Sequence, residues 1–350
     1  MKVHKQKKIA FFNHKGGVGK TTSLFNLGAR LSQKGKVVLM IDADTQCNLT
    51  LQILGESGYE NHYEQNPKNN IKSYLAPAFD SQPILISAGE CISAKLENLY
   101  VMPGSLDLSG NDTQLSMSFN LSSFLTSMQN LPGSFDFLIQ KTAEKYNAEF
   151  ILIDLNPSLS AINQDLLISS DFFIIPTSTD YFSVQSVRSL ATKLPEWESW
   201  AKKARELFKD SFYPLPLSTP KFLGFTCNKF NLQNGGRPQE NHKQMMDRIG
   251  KAIDELLVPN LRNVGMLLNE SMYHQYPKQS RETQSKYCLA EFSDYNKLSV
   301  ISQQKNIPLY DIPNSDLREE NQKVTRGWFK DLYDYFADEI IKRTANETSN

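Results

Sequence analysis

A glycine-rich turn between a short apolar run and a helical pattern constrains the fold of this chain most. Residues 8–13 are mainly apolar, and residues 37–41 form a continuous apolar run, which is typical of a parallel strand buried on both faces. Between them, residues 21–34 have leucines at the spacing of one helix face. Strand, helix and strand in this order predict a βαβ unit with a right-handed crossover. The turn itself has the sequence Lys15-Gly16-Gly17-Val18-Gly19-Lys20-Thr21-Thr22.

Further apolar runs along the chain predict more strands of the same sheet. They cover residues 99–102, 150–153, 172–175, 221–227 and 307–312. With a helix predicted over residues 135–147, this alternation indicates an α/β fold, a doubly wound and mostly parallel sheet with helices on both faces. Ligands of such sheets bind at the carboxyl ends of the strands. We therefore expect the residues at or just past these ends to meet at one rim: Asn13, Asp42, Asp154, Pro176 and Asn228.

The glycine-rich turn has the chemistry of a phosphate-binding loop. Gly16, Gly17 and Gly19 allow backbone N–H groups to approach an anion closely, and the dipole of the following helix attracts negative charge. Lys20 would reach the β- and γ-phosphates of a nucleotide, and the Thr21 hydroxyl would bind Mg²⁺. The sequence therefore predicts that the chain binds ATP with Mg²⁺ and hydrolyses it to ADP and phosphate.

The loop departs from the strict Gly-x-x-x-x-Gly-Lys-Thr pattern, because His14 holds the first position and a second lysine, Lys15, precedes the paired glycines. In this form, residues 13–22 resemble the deviant Walker A motif of the ParA/MinD superfamily of ATPases. The resemblance covers about residues 8–190, continues more weakly to about residue 312, and favours the ParA-like partition ATPases, which are P-loop NTPases. Three further segments resemble parts of the family in the same order. Residues 41–46 resemble its second acidic motif, and residues 151–158 resemble Walker B and its switch. Residues 175–184 resemble the segment that follows Walker B.

The resemblance assigns roles to the charged side chains around the loop. Lys15 would reach across a dimer interface to the phosphates of the other subunit's ATP, which implies a homodimer in the ATP-bound state. Asp44 would orient the attacking water, and phosphoryl transfer depends mainly on such positioning and on charge neutralisation. Asp154 would hold Mg²⁺, and Asp42 would lie near the metal and the switch. A carboxylate that only caps a strand end or a helix is an alternative for Asp42. The predicted catalytic residues are thus Lys15, Lys20 and Asp44, and the predicted metal site consists of Thr21, Asp42 and Asp154.

Two residues of this chain differ from the family pattern near these groups. Thr45 stands where the family usually has proline, and Asn156 lies where proline is frequent. Both replacements are expected to alter the rigidity of the switch and hence the rate of hydrolysis, because proline fixes its own backbone angle. Neither replacement removes a catalytic group.

The resemblance also indicates a pocket for the nucleotide base. In the family, an asparagine at the end of a strand bonds the adenine edge, and Asn228 holds that position, although an ordinary loop asparagine is an alternative. Residues 289–295 resemble the second loop at the adenine, with Ser293 in the place of a common proline. The predicted nucleotide-binding residues are Gly16, Gly17, Val18, Gly19, Lys20, Thr21, Thr22, Asn228, Phe292 and Ser293.

Residues 1–350 are expected to form one P-loop ATPase domain that carries insertions. The extra length is predicted near residues 56–97, 111–134 and 230–285, at loop positions where partner specificity commonly lies. In particular, the polar stretch 55–70 is predicted to be a surface loop or insertion. A C-terminal helix over about residues 315–343 is predicted to pack on the domain through its aromatic side chains.

Composition restricts the partners. The 350 residues include 38 Lys and Arg and 38 Asp and Glu, so the formal net charge is zero. A neutral chain is not attracted strongly as a whole to nucleic acid or to acidic membranes. Lys202, Lys203 and Arg205 form one local basic cluster, for which a solvated helix face is the simpler explanation. Non-specific DNA is therefore a weakly supported partner, and a protein activator or cargo adaptor is the favoured one.

The spacing of the cysteines and the hydropathy of the chain indicate the cellular compartment of the protein. The four cysteines include no Cys-x-x-Cys pair, so neither a zinc site nor a cysteine-held cluster is indicated, and a reduced cytoplasmic setting is expected. The apolar runs are too short to span a bilayer, and no apolar signal-peptide core follows the basic first eight residues. We therefore expect no membrane anchor.

Three functions fit this sequence. The first is an ATP-gated dimeric switch for DNA or plasmid partition or for cargo positioning, with regulation of a protein partner as a variant that has no DNA segregation role. The second is a metabolic, carboxylate-activating ligase of the same fold, which does not usually keep a lysine like Lys15 together with Asp42 and Asp44. The third is a MinD-like ATPase at a membrane surface, which requires a C-terminal amphipathic anchor. Since residues 345–350 are polar, the first function is favoured.

Overall fold

A single mixed sheet organises the chain. The computed structural model describes residues 6–121, 128–232, 238–273, 283–295 and 297–345, and within these residues the sheet has eight strands. Their order is β3-β4-β2-β5-β1-β6-β7-β8, and all neighbours are parallel except β3 and β4. This confirms the predicted mostly parallel α/β sheet. The strands are β1 (Lys7–Phe11), β2 (Val38–Ala43), β3 (Ile92–Ser93), β4 (Leu99–Met102), β5 (Phe150–Leu155), β6 (Phe172–Ser178), β7 (Lys221–Phe230) and β8 (Cys288–Ser293).

Helices cover both faces of the sheet. They are α1 (Lys20–Gln33), α2 (Asn48–Gln65), α3 (Ile71–Phe79), α4 (Gly110–Leu121), α5 (Ser134–Tyr146), α6 (Ala161–Ile168), α7 (Tyr181–Leu207), α8 (Glu240–Ala252), α9 (Val258–Val264), α10 (Lys297–Lys305) and α11 (Glu320–Ala345). A π-helical turn, Ile253–Leu257, joins α8 to α9. The unit β1-α1-β2 and the unit β5-α6-β6 run in opposite directions across the sheet, so right-handed crossovers place α1 and α6 on opposite faces.

The central strands form the core because both of their faces are covered. Every residue of β2, β5 and β6 is buried, which explains why these strands have continuous apolar runs in place of alternating ones. The connections after β1 and β5, which are neighbours in the sheet, leave toward opposite faces and open a crevice between them. Asp154 is the register partner of both Asp42 and Phe11, so the predicted meeting of strand ends at one rim is confirmed for Asp42 and Asp154.

The prediction of a surface loop over residues 55–70 is wrong for most of its length. Residues up to Gln65 belong to α2, which bends at Gly55, where the backbone is left-handed (φ 70°). After the bend the helix is mostly polar and solvated, and only a few side chains point inward. His62 is buried with its Nε2 3.0 Å from the Asn69 carbonyl, and the Tyr63 hydroxyl donates to the Gly104 carbonyl at 2.8 Å. A polar helix without an apolar stripe has the sequence pattern of a surface loop, which is why the prediction fails here.

Two other local predictions are also wrong. Residues 307–312 do not form a strand but contain a 3₁₀ turn, Leu309–Asp311. The turn docks on α1, because the Leu309 N–H donates to the Asn26 side chain and the Tyr310 hydroxyl donates to the Asn26 carbonyl. Residues 289–295 resemble a loop in sequence, but residues 288–293 are strand β8 at the edge of the sheet.

The predicted packing of the C-terminal helix is confirmed. Phe329, Tyr333 and Phe336 of α11 are wholly buried, and Asp334 accepts from both Nε and Nη2 of Arg30 on α1. No helix in the described part of the chain is both long and apolar enough to cross a membrane. The tail after Ala345, where the sequence turns polar, lies outside the described residues.

The predicted basic cluster on α7 is smaller than the sequence indicates. Arg205 is only 8% exposed, and its Nη1 donates to Glu198 Oε1 at 2.8 Å. Lys202 and Lys203 are exposed. The surface of this helix therefore has two lysines in place of a three-residue basic patch.

Candidate nucleotide-binding site

The turn before α1 has the geometry of an anion cradle. Gly17 and Gly19 have left-handed backbones (φ 73° and 83°), which glycine adopts without steric cost. A Cβ on Gly19 would lie 3.2 Å from Asn228 Nδ2, so a side chain there would also crowd strand β7. Gly19 is the N-cap of α1 and provides no side-chain cap, which leaves the first N–H groups of the helix available to a ligand.

Lys20 lies at the base of this cradle. Its side chain is nearly buried, and its Nζ donates to the Asn13 carbonyl at 3.2 Å. Burial lowers the pKa of the ammonium group, and the nearby carboxylates of Asp154 and Asp44 oppose that shift. A cation held in this way, beside the N-terminus of a helix, is placed to neutralise phosphate charge.

Two wholly buried carboxylates face each other at the strand ends. Asp154 Oδ2 accepts from the Thr21 hydroxyl at 2.6 Å, and Asp42 Oδ2 accepts from the N–H and the hydroxyl of Thr50 at 2.8 and 2.6 Å. Burial raises the pKa of Asp42 to about 7 and that of Asp154 to about 8. Repulsion from Asp44 adds to the shift of Asp42, and repulsion from Asp42 adds to that of Asp154. The Oδ1 atoms of Asp42 and Asp154 have no hydrogen-bond partner. Such a pair favours a bound cation.

The stability of the protein should therefore depend on the Asp42 carboxyl. Because its pKa is raised to about 7, the folded chain keeps a proton that the unfolded chain releases, and this contribution to stability is lost as the pH rises toward 7. Asp42→Asn should make the melting temperature less sensitive to pH between pH 5 and 7. In this range, the free energy of unfolding of the wild type should fall by about 1.4 kcal/mol per pH unit relative to Asp42→Asn. This difference corresponds to roughly 2 °C or more in melting temperature.

Thermal melts of the nucleotide-free protein, followed by circular dichroism, provide the measurement. The exposed Asp210, changed to Asn, is the matched control and should leave the pH profile of the wild type unaltered. An Asp42→Asn profile that runs parallel to the wild type would contradict the expectation.

Asp44 lies on the wall of the cleft above these groups. Its side chain is 5% exposed, and its Oδ1 accepts from the Gln46 N–H at 3.0 Å, which fixes the carboxylate in a tight local turn. Burial raises the pKa of Asp44, while the Gln46 N–H and the charge of Lys20 lower it. The side chain is thus held beside the phosphate loop with an oxygen available to a ligand or a water.

Lys15 points away from the phosphate cradle of its own chain. Its Nζ donates to Ser178 Oγ and to Asp180 Oδ2, both at 2.6 Å. Asp180 is also the N-cap of α7, where its side chain accepts from the Ser183 N–H. The ion pair is partly exposed, with relative side-chain exposures of 20% for Lys15 and 41% for Asp180. The two lysines of the loop therefore have different environments, and only Lys20 is buried inside the site.

A cleft of about 940 Å³ opens above the loop, which is enough for a nucleotide. Residues 16–22, Asp44 and Pro157 line its inner part, and α2 and α10 form its outer wall. The outer wall includes Gly55 of α2 and Gln303 of α10. Its position could not be expected from the sequence, because residues 55–65 were predicted to be a loop.

The chain is similar in sequence to known proteins. Residues 6–205, more than half of the chain, match the model of a family described as an AAA domain. The chain is 32% identical over 188 residues to the sporulation initiation inhibitor protein Soj of Bacillus subtilis. The chain belongs to this family, as a ParA/MinD-like P-loop ATPase.

The part of the chain that matches differs among the relatives of this ParA/MinD-like protein. The match to Soj spans 52% of this chain and 62% of Soj. An uncharacterized protein of Methanocaldococcus jannaschii is 29% identical over 260 residues, which span 74% of this chain and 83% of that protein.

Solved structures show the same fold. McdA of Cyanothece without nucleotide superposes with a TM-score of 0.57 at 18% identity, over 93% of this chain and 99% of that one. The pNOB8 ParA bound to nonspecific DNA superposes with a TM-score of 0.55 at 19% identity, over 98% of this chain and all of that one. At 18% and 19% sequence identity, these two superpositions show a shared fold and no more.

The predicted residues for the base do not lie on the wall of the cleft. Asn228 is buried beneath the phosphate loop, where its Nδ2 donates to the Val18 carbonyl at 2.7 Å and its Oδ1 has no partner. Phe292 is a core residue, with its ring stacked on that of Tyr333 at 4.7 Å between centroids. Ser293 is buried at the end of β8. A contact between the base and any of the three stays a prediction.

The donor set fits Mg²⁺ better than a metal held by protein ligands alone. In the described part of the chain, no group of three or more His, Cys, Asp or Glu side chains is arranged to hold a metal ion. The Thr21 hydroxyl, which lines the cleft, and the unpartnered Oδ1 of the buried Asp154 are the oxygen atoms that would hold such an ion. Mg²⁺ commonly binds through one or two such protein oxygens together with phosphate oxygens and water.

Ser178 and Asp180 hold the side chain of Lys15, a contact that sequence reasoning missed. The resemblance covers residues 175–184 but assigns no role to either side chain. A signal was present in the strand-end position of Ser178 and in the capping pattern Asp180-x-x-Ser183. Neither pattern indicates that Lys15 is the partner.

Proposed function

We propose that the chain binds ATP with Mg²⁺, forms an ATP-dependent homodimer and hydrolyses ATP to ADP and phosphate. The proposal rests on one observation, the convergence of Lys20, Asp44 and Asp154 on a glycine-rich helix N-terminus. A phosphate-binding loop with a buried cation and two carboxylates is the arrangement that phosphoryl transfer requires.

Each side chain has a distinct task in this reaction. Lys20 neutralises charge on the β- and γ-phosphates, and the backbone N–H groups of residues 16–21 hold them. Thr21 and Asp154 hold Mg²⁺, which neutralises phosphate charge when bound. Asp44, fixed by the Gln46 N–H, orients the water that attacks the γ-phosphorus. Asp42 is held in place by its hydrogen bonds with Thr50 and contributes negative charge beside Asp154.

The position of Lys15 supports the proposed homodimer. Its side chain binds Ser178 and Asp180, outside the phosphate loop of the same subunit. Once that ion pair opens, Lys15 is available to the phosphates of an ATP molecule bound to a second subunit. The ion pair is partly exposed to solvent, so its opening has a modest cost. ATP bound between two subunits would then link dimer formation to the nucleotide state.

We propose that this switch serves partition or cargo positioning. The names of the relatives support it, since they include chromosome-partitioning proteins of Treponema pallidum and Caulobacter vibrioides. The neutral charge of the chain and the buried Arg205 favour a protein partner over DNA as the main contact. The structure of a ParA on nonspecific DNA makes DNA the first alternative to test.

One experiment separates these versions. The Asp44→Ala protein, held in ATP and Mg²⁺, is used to capture partners from a lysate of the source cells, with ADP as the matched control. Recovery of a defined protein only with ATP supports the adaptor version. ATP-dependent retention of DNA that weakens with salt supports the DNA version. Absence of ATP binding or of ATP-dependent dimers in light scattering would overturn the proposal itself.

A further inference from the structure

Two residues that depart from the family pattern contact each other. Asn156 Nδ2 donates a hydrogen bond to Thr45 Oγ1 at 3.0 Å. Thr45 directly follows Asp44, and Asn156 lies two residues after Asp154. The bond therefore ties the loop after β2, which carries Asp44, to the loop after β5, the strand that carries Asp154.

Other hydrogen bonds extend this tie in both directions. On one side, the Gln46 N–H holds the Asp44 carboxylate at 3.0 Å. On the other side, the Nδ2 of Asn163, on α6, donates to the carbonyls of Asn156 and Ser158 at 2.7 and 2.8 Å. The result is a continuous set of contacts from α6 through Asn156 and Thr45 to Asp44.

The chemistry of the two positions explains why the pair matters. A proline at either position would fix its own backbone angle but has no side-chain donor or acceptor, so two prolines cannot form this bond. Thr45 and Asn156 leave the backbone freer and restrict it through a contact between the loops. Both side chains are half-buried, where a hydrogen bond is less exposed to competition from water.

We propose that Thr45 and Asn156 are positioning residues, which act through Asp44 to set the rate of ATP hydrolysis. Their hydrogen bond makes the loop of Asp44 move together with the switch after Asp154 and with α6. The inference rests on the proposed ATPase activity and adds the residues that tune it. A displacement of α6, by a second subunit or by a partner, would reach Asp44 through this bond.

The test compares four variants with the wild type. Thr45→Val removes the hydroxyl at nearly constant shape, Asn156→Ala removes the donor, and the double variant removes both. Thr45→Ser keeps the hydroxyl and is the matched control. We expect each single loss to lower kcat for ATP by about three- to tenfold, with ATP affinity changed by less than about twofold. The double variant should be no slower than the slower single variant, and Thr45→Ser should stay near the wild-type rate.

The possible outcomes distinguish a failure of this inference from a failure of the proposed ATPase function. Affinity for a fluorescent ATP analogue and thermal melts are measured on every protein, so a variant that fails to fold is recognised and the remaining variants decide. Additive effects, or a Thr45→Ser protein as slow as Thr45→Val, would overturn the positioning role while ATP turnover by the wild type stands. A wild type that binds ATP and never hydrolyses it would overturn the proposed function and this inference together.

Discussion

Replacing Asp44 by alanine should lower ATP hydrolysis by about a hundredfold or more while ATP binding persists. The side chain is 5% exposed and held by the Gln46 N–H, so its carboxylate has one defined position on the wall of the cleft. It has no bond to the phosphate loop itself, which is why its loss should affect the reaction more than binding. The measurement is phosphate release at saturating ATP, together with the affinity for a fluorescent ATP analogue.

The Asp44→Ala protein should also accumulate as an ATP-bound dimer, because the step that resets the switch is missing. Asp210→Ala is the matched control, since Asp210 is an exposed aspartate that follows α7, away from the residues that line the cleft. Hydrolysis at the wild-type rate in Asp44→Ala would show that another group orients the water.

Replacing Lys15 by alanine should abolish both ATP-dependent dimerisation and most of the hydrolysis. A cation supplied to the phosphates from outside the subunit is worth about a thousandfold or more in related phosphoryl transfer sites. Because Lys20 and the backbone cradle remain, ATP should still bind to the monomer. Light scattering with ATP and with ADP, and phosphate release in the same samples, provide the measurements.

Asp180→Asn is the informative counterpart of Lys15→Ala. Asparagine keeps the cap of α7 but removes the negative charge that holds Lys15, so dimers should form at lower ATP concentration than in the wild type. Lys203→Ala, at an exposed lysine of α7, is the control for loss of a positive charge. Full ATP turnover by Lys15→Ala would defeat the shared-site dimer and leave the phosphate loop of each subunit intact as a binding site.

The local sequence pattern was enough to predict the glycine-rich loop and the strands around it. The apolar runs of β1, β2 and β5 and the glycines between β1 and α1 each indicate their structure within a few residues. The strand-end positions of Asp42 and Asp154 followed from the same runs, because parallel strands share one carboxyl edge. The prediction failed at α2, where solvation of a polar helix removes the apolar stripe on which such predictions depend.

The sequence by itself determined the fold class, the phosphate loop and the identity of the charged groups around it, because these depend on short-range periodicity and on glycine. The tertiary structure alone decided their environments. It brought Asp180 to Lys15 across 165 residues and Asn156 to Thr45 across 111 residues, and it buried Asp42 beside Asp154. Such contacts depend on the strand order and on which loops become neighbours, and neither is encoded in the spacing of residues along one segment.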